Sequence, residues 1–194
     1  MKEGTIDRRI RKTKQQLRQS LTALLKEKRI ENITVRELAE LADINRGTFY
    51  LHYKDAFDLL RQIEDELLDE LETVLAKYQP GEIRQNGVRI FTDIYQLAQK
   101  NSELVTILLG EHGELNFVTR LNKILRDKCL HDWLEYFRTE DRQEFDHYYV
   151  FIVSGCIGLL QYWLNHNMKE TPEELASLTE QIILNGVKLM DARE

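Results

Sequence analysis

Proline is nearly absent from this chain. There are two in 194 residues, Pro80 and Pro172, beside nine glycines. Proline removes a backbone donor and glycine adds backbone entropy, so both interrupt regular structure. Their scarcity favours long helices over the turn-rich connections of an all-β fold. Two cysteines, Cys129 and Cys156, are too few for a disulfide framework and lack metal-ligand spacing, so they read as reduced residues of a core or an interface. No apolar run reaches the ~18 residues that a membrane span needs. The longest, Tyr148 to Leu164, is interrupted by Ser154, Gln161 and two glycines. The opening MKEGTIDRRIRK lacks the apolar core of a signal peptide, and a cytoplasmic protein with no membrane partner is expected. Strand alternation, low-complexity tracts and internal repeats are missing. So are His-Glu-x-x-His and a glycine-rich phosphate loop, and a di-iron bundle would need two Glu-x-x-His motifs where this chain has one, Glu144 and His147. His112, His131, His147 and His166 are scattered and read as surface or satisfied core residues. No enzyme, metal or cofactor is expected.

What the chain does have is a split in charge. The first 54 residues carry 13 Lys/Arg against 7 Asp/Glu, a net +6, and the remaining 140 carry 14 against 26, a net −12. The whole-chain value of −6 therefore hides a basic head on an acidic body. Phosphate is neutralised locally, within a screening length of about 10 Å at ~0.1 M salt, so the local charge is the one that matters for nucleic acid. The bland alternative is a solvated basic helix.

Hydrophobic periodicity predicts nine helices. They run from about 7 to 28, 34 to 42, 46 to 52, 56 to 77, 83 to 100, 102 to 110, 114 to 138, 141 to 167 and 172 to 191. The first carries Ile10, Leu17, Leu21, Leu24 and Leu25 on one face. Its first turns crowd Arg8, Arg9, Arg11, Lys12 and Lys14 against the helix dipole, a local cost that an external anion would relieve. The fourth carries Phe57, Leu60, Ile63, Leu67, Leu71 and Leu75, and Pro80-Gly81 is the clearest break.

The segment TVRELAELADINRGTFYLHYK, Thr34 to Lys54, reads as a helix, a tight turn around Asp43 and a second short helix. Thr34 and Glu37 form a capping box, and Asn45 caps the second helix. That helix is too short to stand alone, so Ile44, Phe49 and Tyr53 must pin it. In a major groove its first residues meet base edges while its neighbours hold phosphates. Arg46 suits guanine, worth about 1–3 kcal/mol of discrimination when bidentate. Gly47 allows close approach, Thr48 offers a methyl or a hydroxyl, and Tyr50, His52, Lys54 and Arg36 suit phosphate; Thr34 and Asn45, at the helix starts, complete the expected DNA-binding set. The alternative keeps Tyr50 and Tyr53 as core aromatics and Arg46 as a solvated turn residue.

These residues resemble the DNA-binding head of TetR/AcrR-family transcriptional regulators over about residues 8 to 60. The likeness lies in the T-V-R-E-L-A opening, the R-G-T-F-Y-x-H-Y helix and the K-D start of the next helix. Asp43 stands where glycine is usual in the turn, and Ala56 where lysine is frequent. The resemblance implies a homodimer on a palindromic double-stranded DNA operator, an all-helical body that takes a small effector, and repression in most members. The C-terminal stretch YYVFIVSGCIGLLQYWLNHNMKETPEELA is similar to the branch that includes regulators of dihydroxyacetone metabolism, some of which activate.

The expected architecture is all-α: a helix-turn-helix head over 1–54 and a helical-bundle body over 55–194 for effector binding and dimerisation, joined by the long helix 56–77. Effector-pocket candidates are Phe91, Tyr95, Leu108, Phe117, Leu121, Trp133, Phe137 and Tyr148, each equally readable as plain core. Ser154, Gly155 and Gly158 interrupt an apolar helix and suggest close backbone approach. With Leu175, Leu178 and Ile182 of the last helix they form the expected dimer interface, unless the glycines only accommodate Trp133 or Trp163. The rival to a repressor is a protein-interaction adaptor or an activator working through a partner protein.

Overall fold

The computed structural model describes the backbone of residues 3–78, 83–111, 113, 115–137 and 142–191, with side chains at 8–78, 86–111, 113, 116–128 and 145–184. Among the described residues all regular structure is helical: α1 (Glu3–Leu25), a 3-10 turn (Ile30–Asn32), α2 (Val35–Leu41), α3 (Arg46–Tyr50), α4 (Ala56–Leu75), α5 (Ile83–Lys100), α6 (Ser102–Leu109), α7 (Leu115–Phe137), α8 (Arg142–Asn165) and α9 (Pro172–Asp191). The Pro80-Gly81 break lies outside the described residues. Two compact units emerge, Met1–Leu67 with Ile107–Glu114, and Leu68–Thr106 with Leu115–Glu194.

In the first unit Leu17, Leu21 and Leu25 of α1 are buried one turn apart. Ile10, expected on that face, is 38% exposed, so the buried stripe is shorter than its sequence period suggests. The 3-10 turn was not legible as an element, yet it buries Ile30. Phe57 is also exposed, and Leu59, Leu60 and Ile63 take the inward positions of α4. Asp55 and Asp58 fix its start: Asp58 N–H donates to Asp55 Oδ1 at 2.8 Å, and Asp58 Oδ2 accepts the Lys54 N–H at 2.9 Å.

The second unit packs α9 along α5 and α7 against α8. Tyr95 and Thr179 share a buried hydroxyl pair at 2.7 Å, and Trp163, 1% exposed, donates its indole N–H to Glu170 O at 2.9 Å. Asn86 leaves helical geometry, and Val88 N–H, just after it, donates to Glu180 Oε1 at 3.1 Å. Glu180 crowds this point so closely that a Cβ on Gly87 would stand 2.5 Å from its Oε1. Thr171 and Glu174 cap α9 reciprocally, at 2.8 and 3.2 Å, with Pro172 at its first position.

Candidate nucleic-acid interface and effector cavity

The local chemistry of the head is spent on holding α3. The capping box of α2 is complete: Glu37 N–H donates to Thr34 Oγ1 at 3.3 Å, and Thr34 N–H donates to Glu37 Oε2 at 2.9 Å. The Lys28 ammonium also bonds Glu37, and these donors, Lys28 first, pull its carboxyl down to about 2. At the far end of α2 the chain reverses in a Schellman turn. Ile44 N–H reaches Ala39 O at 3.0 Å, Asp43 N–H reaches Glu40 O at 3.2 Å, and Asp43 has the left-handed φ of 51°. Asn45 Oδ1 then accepts the Gly47 N–H at 2.8 Å and starts α3.

Phe49 is fully buried and Tyr53, one turn on, is 5% exposed, their rings 5.7 Å apart. The phenol of Tyr53 is pushed up to about 12 by burial, so it stays neutral. Of the two tyrosines read as either core or surface, Tyr53 is core and Tyr50 is 58% exposed. With Phe49 and Tyr53 fixed inward, α3 presents Arg46, Gly47 and Tyr50 to solvent with Thr48 half-buried, and past its end Lys54 is exposed and His52 half-buried. Arg36 is exposed and pairs with Glu40 at 2.7 Å, a solvent-screened surface contact that is easily exchanged for phosphate. Arg8, Arg9, Arg11, Lys12 and Lys14 are all exposed on α1. Thr34 serves the fold through its cap, and Asn45 does the same.

The second unit holds a partly open apolar cavity of about 150 Å³ between α4, α5, α7 and α8. Phe91, Tyr95 and Leu121, expected there, line it. Phe117 is buried and Tyr148 half-buried, but neither reaches the lining, and Leu108 is buried in the first unit. The side chains of Trp133 and Phe137 lie outside the described residues. Periodicity could not single out the other wall residues, among them Ile94, Leu125, Ile152 and Ile157, because core and cavity share one pattern. Cys156 is also in the wall, and burial pushes its thiol up to about 11, which leaves it protonated and unreactive. Lys128 touches the lining while its ammonium donates to Tyr78 O at 2.6 Å. A shallower groove of about 670 Å³ shares Leu75 and Lys128 and carries charges of both signs, so it favours neither.

On α8 the exposed residues Phe151, Ser154, Gly155, Gly158 and Tyr162 recur at helical spacing, and Leu178 and Ile182 of α9 are exposed as well. A Cβ on Gly155 or Gly158 would meet nothing within 4 Å, so these glycines do not make room for Trp163. Leu175, grouped with this face from the sequence, is 2% exposed and belongs to the core. Val187, Leu189 and Met190 have side chains outside the described residues.

Residues 86–185, just over half of the chain, match the TetR_C_8 family model, described as "Transcriptional regulator C-terminal region". The chain belongs to the TetR family of transcriptional regulators. That family consists of regulators and not of enzymes. A Bacillus subtilis (strain 168) protein, the "Uncharacterized HTH-type transcriptional regulator YxbF", is 28% identical over 177 residues, covering 90% of this chain and 45% of that protein. The chain thus spans less than half the length of this relative. A TetR transcriptional regulator from Streptococcus agalactiae 2603V superposes with a TM-score of 0.61 at 26% identity, covering 92% of this chain and 97% of that one. The dihydroxyacetone kinase operon activator DhaS shares the fold, with a TM-score of 0.59 at 12% identity over 91% and 97% of the two chains. No helix among the described residues is long and apolar enough to cross a membrane.

Leu51 is the functional candidate that sequence reasoning passed over. It follows α3 directly and is 80% exposed, more than any other large apolar residue described. Its signal was present in the spacing: two residues after Phe49 and two before Tyr53, it points opposite to both.

Proposed function

We propose that this chain is a sequence-specific DNA-binding transcriptional regulator, acting in the cytoplasm as a homodimer on a palindromic operator. The reading rests on one observation: a short helix and the turn after it, held inward by Phe49 and Tyr53, leave Arg46, Gly47, Tyr50 and Lys54 exposed on the basic part of the chain. In a major groove Arg46 takes guanine O6 and N7, Gly47 lets the backbone come close, and Thr48 meets a base or phosphate. Tyr50, His52, Lys54 and Arg36 hold the sugar-phosphate chain, with the α1 cations beside them.

The exposed α8 and α9 residues supply the dimer face, where the glycines admit a second backbone. Two heads then engage successive half-sites, about 34–36 Å or a multiple apart. The cavity takes a small apolar effector, since an apolar cavity of about 150 Å³ suits a molecule of benzene size. Repression follows if the effector prefers a dimer whose heads no longer match both half-sites, a shift set by its differential affinity for the two states. DhaS is called an operon activator, which keeps activation through a partner as the second reading.

The test is a salt titration of binding to fragments of the promoter region of the chain's own gene. A regulator binds selectively, with affinity falling steeply as salt rises, and Arg46→Glu abolishes binding without changing the melting temperature. Binding that ignores sequence and survives Arg46→Glu defeats the proposal in favour of a protein adaptor.

A further inference from the structure

The geometry points to Leu51 as a reader of a thymine 5-methyl group in each half-site, an inference that rests on the DNA-binding reading of α3. Helical backbone continues past Tyr50: Leu51 has φ −71° and ψ −20°, and His52 and Tyr53 N–H both donate to Phe49 O, at 2.9 and 3.0 Å. With Phe49 at 0% and Tyr53 at 5% exposure defining the inward direction, residues 47 and 51 lie about 160° from Phe49 at 100° per residue. They are the outermost positions of the helix. One is a glycine, so Leu51 is the side chain that projects farthest. It is 80% exposed and has no polar atom. It can neither bond phosphate nor pair with a base edge. The apolar group that a major groove offers is the thymine methyl, and cytosine presents no such group at that place. Arg46 at the start of α3 and Lys54, four residues past its end, carry the charge that anchors it. In water alone, an outward leucine at this position contributes nothing to the fold.

The experiment uses the full chain. An operator is selected from random duplexes, and each thymine is then replaced in turn by deoxyuridine, which keeps every hydrogen-bonding group and lacks the methyl. The expected result is one position per half-site at which the wild type binds about fourfold more weakly, the equivalent of one buried methyl. Leu51→Ala is expected to bind thymine and deoxyuridine equally there while keeping its other preferences. Leu51→Gln is expected to move the preference at that position towards adenine. The inference is overturned if no position responds to loss of the methyl. It is overturned equally if the responding position stays responsive in Leu51→Ala, since Thr48 or Tyr50 would then read it. Failure to select any operator overturns this inference together with the DNA-binding reading, and that result is distinct from an operator blind to its methyls.

Discussion

Asp43 holds the helix-turn-helix in a conformation that suits another residue. Its φ of 51° is left-handed, and the two turn bonds, Ile44 N–H to Ala39 O and Asp43 N–H to Glu40 O, place it at the position where Schellman turns take glycine. A left-handed L-residue costs about 1–2 kcal/mol, an amount that is smaller for Asp than for most residues. Its carboxylate also stands at the C-terminal end of α2, where the helix dipole disfavours an anion by about 0.3–1 kcal/mol. Against both stands the extra backbone entropy that glycine loses on folding, about 0.5–1 kcal/mol. The balance favours Asp43→Gly by about 1 kcal/mol, or about 2–4 °C if the chain unfolds as a whole. Thermal unfolding followed by circular dichroism at 222 nm measures it. Asp43→Asn separates the two causes, because it removes the charge and keeps the left-handed tolerance, and it should recover about a third of the gain. Asp43→Ala keeps the left-handed angle without the tolerance that Asp brings to it, so it should not exceed wild type. A glycine variant that melts at or below wild type, or an alanine variant that matches it, would refute the strain argument.

Three further outcomes are expected. The Glu37 carboxyl sits at about 2 in the folded head against an ordinary 4.5, so its stabilisation is complete above pH 4.5 and is lost as pH falls towards 2. Glu37→Gln should flatten that acid limb in urea titrations run across this window. Phe151 is 78% exposed, so Phe151→Glu should leave the fold intact and convert the proposed dimer to a particle of 23.0 kDa in sedimentation equilibrium, and a variant still dimeric at micromolar concentration would move the interface elsewhere. A benzene-sized apolar probe should raise the melting temperature through the cavity, by the equivalent of about 2.7 kcal/mol at a hundredfold excess over Kd. Leu121→Trp, which fills the lining, should abolish the shift.

Much of the head was legible in the sequence because its signals are local. Thr34 and Glu37 are three residues apart and Asn45 sits next to its helix, so their hydrogen bonds follow from spacing alone. Phe49 and Tyr53 follow from period. What was illegible depends on residues far apart in the chain. The cavity wall draws on four helices, and no spacing rule marks Ile94, Ile152 or Ile157 as wall rather than core. Phe57, Ile10 and Leu175 err in a related way: periodicity identifies a face without saying where along the helix a neighbour ends. Beside the irregularity at Asn86, Val88 bonds Glu180, far along the chain, a contact invisible to any local reading.

Glycine gives the sharpest separation between what the fold needs and what lies beyond it. A helical glycine costs about 1 kcal/mol against alanine, so one that persists has a steric reason. Gly87 has an internal one in the Glu180 carboxylate at its α-carbon. Three others do not. A Cβ on Gly47 would meet only Asn45 Oδ1, at an ordinary 3.4 Å, and on Gly155 or Gly158 it would meet nothing. All three are exposed, one on the outer face of α3 and two on the exposed face of α8. Nothing within either unit requires them, which supports the proposal that Gly47 meets a DNA groove and that Gly155 and Gly158 meet a second copy of α8. The same logic sorts the variants. Alanine at any of the three should leave the melting temperature unchanged or raise it, whereas Gly47→Ala should weaken operator binding alone, and Gly155→Ala with Gly158→Ala should weaken dimerisation first and operator binding as its consequence. Loss of monomer stability in these variants would return the glycines to the fold and remove this support for both interfaces.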